Sequence, residues 1–303
     1  MMSDRLARIS ENTVPAETAD TVPLTIFAVP KFFQGHAALI QRNAIRSWAA
    51  LAPHVEIILF GDKLDQGLVQ IADEVSASLY DCEVNEAGTP VLNHIFEKTH
   101  SVARGRCLCY LNADIILGPE IFEVTDRLKE AELTSFLAIG QRTELNIDSE
   151  ICFENLDVVR QLNQRRLAEG RLDSAVCKDF FLFTRDLFQD LPPFLVGRGN
   201  WDNWMVASSK SAGVPVVDVT SVMSVIHQQH DHQHVPGGRK NAYVFGEEAR
   251  ENQRLAGGRH LLRGSHANWY LTGDGLKNRT FPLFSIIRDI PKFGSLLSRL
   301  ARS

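Results

Sequence analysis

Arg106-Cys-Leu-Cys-Tyr-Leu-Asn-Ala-Asp-Ile-Ile-Leu117 is an apolar run that ends on two polar side chains, Asn112 and Asp114, and then turns apolar again. A short continuous apolar run is the mark of a strand buried on both faces, as in a parallel sheet. Ligands of open α/β sheets gather just beyond the carboxyl ends of such strands. A carboxylate placed there can hold a hard divalent cation together with substrate phosphates. Taken alone, the segment favours a plainer reading, a strand closed by an Asx-type turn. The rest of the chain shifts the balance toward a site.

Upstream, the pattern alternates. A strand over 24–29 closes at Pro30, and a helix over 37–51 carries Ile40, Ala44, Ile45, Trp48 and Leu51 at helical spacing. A second strand over 55–60 ends at Gly61-Asp62. A helix over 68–75, a short strand over 78–80 and a helix from Pro90 to Ala103 follow. This alternation predicts an α/β fold with a doubly wound, mostly parallel mixed sheet in one domain. Downstream, helices are expected over 121–131 and 156–169, and the segment 196–204 opens a further helix that runs to 212. Strands are expected over 136–139, 178–184, 214–219 and 222–226. The stretch 141–171 reads as polar and irregular, facing an acceptor.

The composition excludes several classes. The chain has 303 residues, a net charge of -5 and 23% charged residues, so it lacks the basic signature of a nucleic-acid binder. Five cysteines (Cys82, Cys107, Cys109, Cys152, Cys177) form no CxxC pair, which predicts free thiols in a reducing compartment. Residues 1–21 read as a loose polar leader without a signal-peptide core, and no apolar run suffices to span a bilayer. A cytoplasmic protein is expected, with the main domain over 22–275. The tail over 276–303 carries Arg288, Lys292, Arg299 and Arg302 among Leu283, Phe284, Ile286, Ile287 and other apolar residues. Such a segment can rest on an anionic membrane surface. Pro291 and Gly294 interrupt any long helix there, which favours a docked tail.

Polar groups end three expected strands: Asp62, Asn112 with Asp114, and His227. Asp202 opens a helix beside a Gly-rich turn. The pieces Gln41-Arg-Asn-Ala-Ile-Arg-Ser-Trp48, Leu59-Phe-Gly-Asp62, Tyr110-Leu-Asn-Ala-Asp-Ile-Ile-Leu117, Asp179-Phe-Phe-Leu-Phe183, Gly197-Arg-Gly-Asn-Trp-Asp-Asn-Trp204, and Ile226-His-Gln-Gln-His230 with Pro236-Gly-Gly238 stand in an order that resembles GT-A fold nucleotide-sugar glycosyltransferases. The resemblance is nearest to loosely characterised bacterial and plant glycosyltransferase-like proteins.

That resemblance implies a GT-A-like fold, a nucleoside diphosphate-sugar donor (a UDP-sugar first), a glycan, lipid-linked or small-molecule acceptor, and a Mn²⁺ or Mg²⁺ ion. Asn112-Ala-Asp114 takes the place of the family's DxD motif, with Asn at its first position. Asp114 and His227 are the implied metal ligands, with Asn112 beside them and His230 as second choice. Asp62, Asn112, Asp114 and Asn93 are the implied donor contacts. Arg239 and Lys240, next to Gly237-Gly238, suit the phosphates. Asp202 is the implied base of an inverting reaction, and Asp179 contacts donor or acceptor hydroxyls. Trp201 and Trp204 flank Asp202 and offer aromatic faces to an acceptor sugar.

Two other readings stand beside this. His227, His230, His232 and His234 with Asp231 can ligate Zn²⁺, as in a metal-dependent hydrolase, although their spacing is not that of H-E-x-x-H. The Asn112 departure also fits a GT-A-like protein that binds a sugar nucleotide or glycan without turnover.

Overall fold

The computed structural model describes residues 22–175, 177–230, 241–257 and 267–278. The expected leader, residues 231–240 of the histidine-rich loop and the basic tail beyond residue 278 lie outside the described residues.

The first half follows the expected alternation. It runs β1 (Leu24–Ala28), α1 (Gly35–Ala49), β2 (Val55–Phe60), α2 (Gln66–Glu74), β3 (Ser78–Tyr80), α3 (Leu92–Val102) and β4 (Cys107–Leu111). The chain continues as β5 (Ile115–Ile116), α4 (Glu120–Glu130), β6 (Leu137–Ile139), β7 (Arg142–Leu145), α5 (Leu156–Glu169), β8 (Arg171–Leu172), β9 (Phe180–Thr184) and α6 (Trp201–Ser211). It closes with β10 (Val216–Asp218), β11 (Val225–Gln228), one π-helical turn (Asn241–Phe245), α7 (Glu247–Leu255), β12 (Trp269–Thr272) and β13 (Gly275–Asn278).

The described residues form a nine-stranded sheet in the order β13-β12-β10-β6-β9-β4-β1-β2-β3. β9 runs antiparallel to both neighbours and β12–β13 is a hairpin, while the other pairings are parallel. This is the expected α/β architecture, a large and mostly parallel mixed sheet. From β1 the chain winds outward to β2 and β3, then returns to β4 on the other side of β1. A crevice therefore opens at the carboxyl ends of β1 and β4, where the strand order reverses.

Both faces of the sheet are covered, which explains the unbroken apolar runs. In β1, Leu24, Ile26 and Ala28 join a core with Ile45 and Trp48 of α1, Leu68 of α2 and Val124 of α4. Phe27 points the other way, into a core with Phe96 of α3 and Trp201 and Met205 of α6. Trp48 is fully buried and donates its Nε1–H to the carbonyl of Ile115, 2.9 Å away. That bond fixes α1 beneath the chain that leaves the Asn112–Asp114 turn.

A second sheet, in the order β5-β11-β7-β8, was not expected. The stretch 141–171 is therefore not irregular. It supplies β7, β8 and α5, and Leu145, Ile147, Ile151 and Leu162 form a third small core with Ile116 and Ile226. Apolar patterning misses β7 because its Thr143 and Glu144 are buried polar residues that find partners inside the protein.

Glu56 on β2 ties its strand to β1 and to the turn that leads into β4. It accepts hydrogen bonds from Thr25 Oγ1 (2.6 Å), the Arg104 backbone N–H (2.7 Å) and Arg104 Nε (2.9 Å). Burial pushes its carboxyl pKa up, but these bonds outweigh it and hold the group below its usual value. A depressed folded-state pKa contributes stability that is present above the unfolded value and lost as pH falls through the folded one. The Glu56→Gln variant is therefore expected to melt below wild type at pH 7 and to show a flatter melting-temperature profile below pH 4.5, checked by thermal denaturation. Trp48→Phe leaves the buried Ile115 carbonyl without its donor and is expected to cost about 1–3 kcal/mol in denaturant unfolding.

Candidate functional site

The carboxyl ends of β1, β2, β3 and β4 border one edge of the large sheet. A cleft of about 370 Å³ lies there, lined by Val29 and Pro30 after β1, Asp62 and Asp65 after β2, and Asp81 after β3. Asp62 is exposed and accepts from the backbone N–H of Leu64 at 2.8 Å, an Asx turn that leaves a carboxylate oxygen open to the cleft. Asp65 caps α2 and accepts from the backbone N–H of Phe33 at 2.7 Å. A larger cleft of about 510 Å³ lies between β3 and α3 and touches none of the other candidate residues.

Asn112 and Asp114 leave the end of β4. Because β9 pairs antiparallel with β4, the residues just before β9 arrive at the same edge. The Asn112 backbone N–H donates to the Asp179 carbonyl at 2.9 Å, and its side-chain Nδ2 donates to Asp179 Oδ1 at 2.6 Å. One side-chain N–H of Asn112 is thus engaged by Asp179.

The small sheet delivers the remaining groups. β11 pairs with β7 in parallel, so that His227 lies opposite Glu144. His227 Nδ1 stands 3.0 Å from Glu144 Oε2. Its Nε2 is 3.8 Å from Asp114 Oδ2, and His230 Nε2 is 2.9 Å from the same oxygen. Asp114 Oδ1 is buried and has no hydrogen-bond partner among the described residues. The backbone carbonyl of Asp114 is held by Gln228, which donates from its Nε2 at 3.1 Å.

Arg142 ties this group together. Its guanidinium reaches Asp179 Oδ2 at 2.7 Å, Glu144 Oε1 at 2.7 Å and Asp173 Oδ2 at 3.1 Å. Burial alone would lower the Arg142 pKa, but the surrounding carboxylates, Asp179 first, raise it well above the ordinary value. Burial likewise opposes ionisation of Glu144, yet His227 and Arg142 hold its carboxyl down at about 2. Asp114 is also held below the carboxylate range. The cost of its burial is outweighed by the His230 hydrogen bond and the charges of His227 and Lys31. His227 is shifted upward, because Glu144 and Asp114 together outweigh the effect of burial.

The sequence-derived candidates divide. Asp114, His227, His230, Asn112 and Asp179 come together. Asp202 sits in the first turn of α6, after Asn200 in the left-handed region (φ 83°), a conformation Asn tolerates. Lys178, buried beside Asp179, places its Nζ 3.3 Å from Asp202 Oδ2 and 3.0 Å from Asn203 Oδ1. Asp202 is thus paired with a cation rather than set between two aromatic faces. Of the two implied acceptor platforms, Trp201 is buried and Trp204 is half-buried. Trp201 is buried against Tyr110 and Phe181, with ring centroids 5.4 and 5.1 Å away, and Trp204 packs on Phe194 at 5.5 Å. Their i, i+3 spacing sets both indoles on the side of α6 that meets this core, Trp201 within it and Trp204 packed against it. Asn93 does not line the cleft at Asp62, and its Nδ2 donates to Glu97 within α3 at 3.3 Å. Arg239, Lys240, Asp231, His232 and His234 lie outside the described residues. Sequence reasoning missed Arg142, Glu144, Asp173, Lys178 and Asp65. The period-two spacing of Arg142 and Glu144 was the only signal for that pair.

Asp114, His227 and His230 offer three ligand atoms within 4.8 Å of one another. An unpartnered buried carboxylate oxygen beside two imidazoles suits a divalent cation in chemistry and in spacing.

No protein-family model matches the chain, and no curated protein matches it. Solved structures do resemble it. Staphylococcus aureus TarS 1–349 in complex with UDP-GlcNAc aligns over 78% of this chain and 65% of that chain, at 14% identity and a TM-score of 0.49. In other TarS structures the aligned part is 38% or 23% of that chain, so this chain spans less than two thirds of TarS throughout. Mycobacterium tuberculosis glucosyl-3-phosphoglycerate synthase aligns over 78% of this chain and 82% of that chain, at 13% identity and a TM-score of 0.47. A 4-diphosphocytidyl-2C-methyl-D-erythritol synthase from Anaerococcus prevotii aligns over 66% of this chain at 8% identity and a TM-score of 0.38. Likenesses of this size say nothing of what this chain binds. Among the described residues no helix is long and apolar enough to cross a membrane.

Removing the guanidinium by Arg142→Met leaves three carboxylates without their shared cation. Breaking a buried pair on one side costs about 3–5 kcal/mol. The variant is expected to lose that much stability at pH 7 and less near pH 4, where protonation relieves the unpaired carboxylates. Equilibrium denaturation at the two pH values checks this.

Proposed function

We propose that this chain is a glycosyltransferase that moves a sugar from a nucleoside diphosphate-sugar to an acceptor hydroxyl, assisted by a divalent cation. The observation that carries the reading is the unpartnered Asp114 Oδ1, buried beside two imidazoles at the crevice of a doubly wound sheet. A cleft with Asp62, Asp65 and Asp81 in its lining lies at the carboxyl ends of β1, β2 and β3 in the same sheet.

In this reading Asp114 and His227 hold Mn²⁺ or Mg²⁺ with the diphosphate. The bound ion supplies Lewis-acid stabilisation of the charge that develops on the departing diphosphate. Asp62, with its open oxygen, accepts from an N–H of the base, which suits uracil and makes a UDP-sugar the first donor to test. Asn112 and Arg142, one on each oxygen, set the position of the Asp179 carboxylate toward donor or acceptor hydroxyls. Asp202 takes the proton of the acceptor hydroxyl if the reaction inverts, and Lys178 holds that carboxylate in place. If configuration is retained, Asp202 and Asp179 position hydroxyls instead. The acceptor is a glycan, a lipid-linked sugar or a small molecule.

Release of nucleoside diphosphate from a panel of UDP-, GDP- and ADP-sugars with Mn²⁺ tests the proposal. Turnover of one donor by wild type, reduced at least about 100-fold in a folded Asp114→Ala variant, is the expected outcome. Wild-type-like rates in that variant would remove Asp114 from the reaction.

A further inference from the structure

The cation site has an unequal donor set. Asp114 gives one carboxylate and His227 gives one imidazole. The position of a second carboxylate is taken by Asn112, whose amide is already bonded to Asp179. His230 stands nearer to Asp114 than His227 does, 2.9 Å against 3.8 Å from the same oxygen. The two imidazole rings lie with centroids 5.2 Å apart and tilted by 47°, so both can turn an Nε2 toward one point beside Asp114.

Resting on the reading that Asp114 and His227 hold a cation, we infer that His230 is a full third ligand and that this two-histidine, one-carboxylate set selects a first-row transition-metal ion over Mg²⁺. Three features of this chain lead there. Imidazole donors suit Zn, Fe, Ni and Cu, and donor sets containing nitrogen follow the rising order from Mn²⁺ through Co²⁺. Mg²⁺ demands oxygen ligands in near-ideal octahedral geometry and dehydrates reluctantly. A buried carboxylate, Glu144, meets His227 Nδ1, the outer-shell contact that directs the opposite nitrogen at a metal and raises its basicity. Arg142 in turn keeps Glu144 ionised and fixed. Nothing in this arrangement serves an all-oxygen site.

The test reads the metal directly. Metal-free full-length protein is titrated with Co²⁺ and followed by its visible absorption, then challenged with Mg²⁺ or Mn²⁺. The same titration is run on His230→Ala and on His230→Gln, which keeps a hydrogen-bonding group beside Asp114 but offers no imidazole. Circular dichroism confirms that each variant is folded. The expected result is a Co²⁺ spectrum in wild type that Mg²⁺ in large excess does not displace, with affinity weakened about tenfold or more in both variants. Free displacement by Mg²⁺, or unchanged Co²⁺ affinity in the folded variants, would overturn the inference while leaving the cation reading intact. If wild type bound none of the three ions, both would fall together.

Discussion

The guanidinium of Arg142 balances three carboxylates that converge in a space largely closed to water, and the site is built around that balance. Each buried charge carries a desolvation cost of several kcal/mol, repaid only by close pairing. Arg142 lies on β7, Asp179 heads β9, Asp173 follows β8, and Glu144 connects to His227 on β11. The charges therefore join the small sheet to the end of the large one. Without Arg142, Glu144 keeps only His227 to offset the cost of its burial, and the contact that orients His227 toward Asp114 is weakened. The metal-facing chemistry depends on a group that itself faces no ligand.

Much of the large sheet was legible in the sequence because its strands are buried on both faces. β1, β2 and β4 read as plain apolar runs, and the helices between them carry apolar stripes such as Ile40, Ala44, Ile45 and Trp48. The small sheet was not legible for the opposite reason. In β7 the residues Arg142, Thr143 and Glu144 are polar, and they become interior only by partnering one another and their neighbours on β9 and β11. Such a strand has no hydrophobic signature, and its existence depends on pairings between residues distant in the chain. Asp114 and His227 were readable because each ends an apolar run. The burial of Trp201 and the pairing of Asp202 with Lys178 were not legible, because both follow from the rotation of α6 against the sheet.

The proposed division of labour follows from the two kinds of environment at the crevice. The cleft at Asp62 is open, with a carboxylate in a turn and backbone from three strand ends around it, which suits a ligand that enters and leaves. The Asp114 carboxylate is buried, with Gln228 on its backbone carbonyl and Glu144 and Arg142 behind His227, which suits an ion fixed before the ligand arrives. In the proposed reading a nucleoside diphosphate would place its base at the open cleft and its phosphates at the ion that Asp114 and His227 would hold.

The central claim is that the two places act on one ligand, and calorimetric titration of nucleoside diphosphates with and without Mn²⁺ tests it most directly. If a single molecule spans them, Mn²⁺ tightens binding of one nucleotide and that nucleotide tightens binding of Mn²⁺ by the same factor, as linkage requires. Binding of the ion and of every nucleotide with no effect of either on the other would contradict the account.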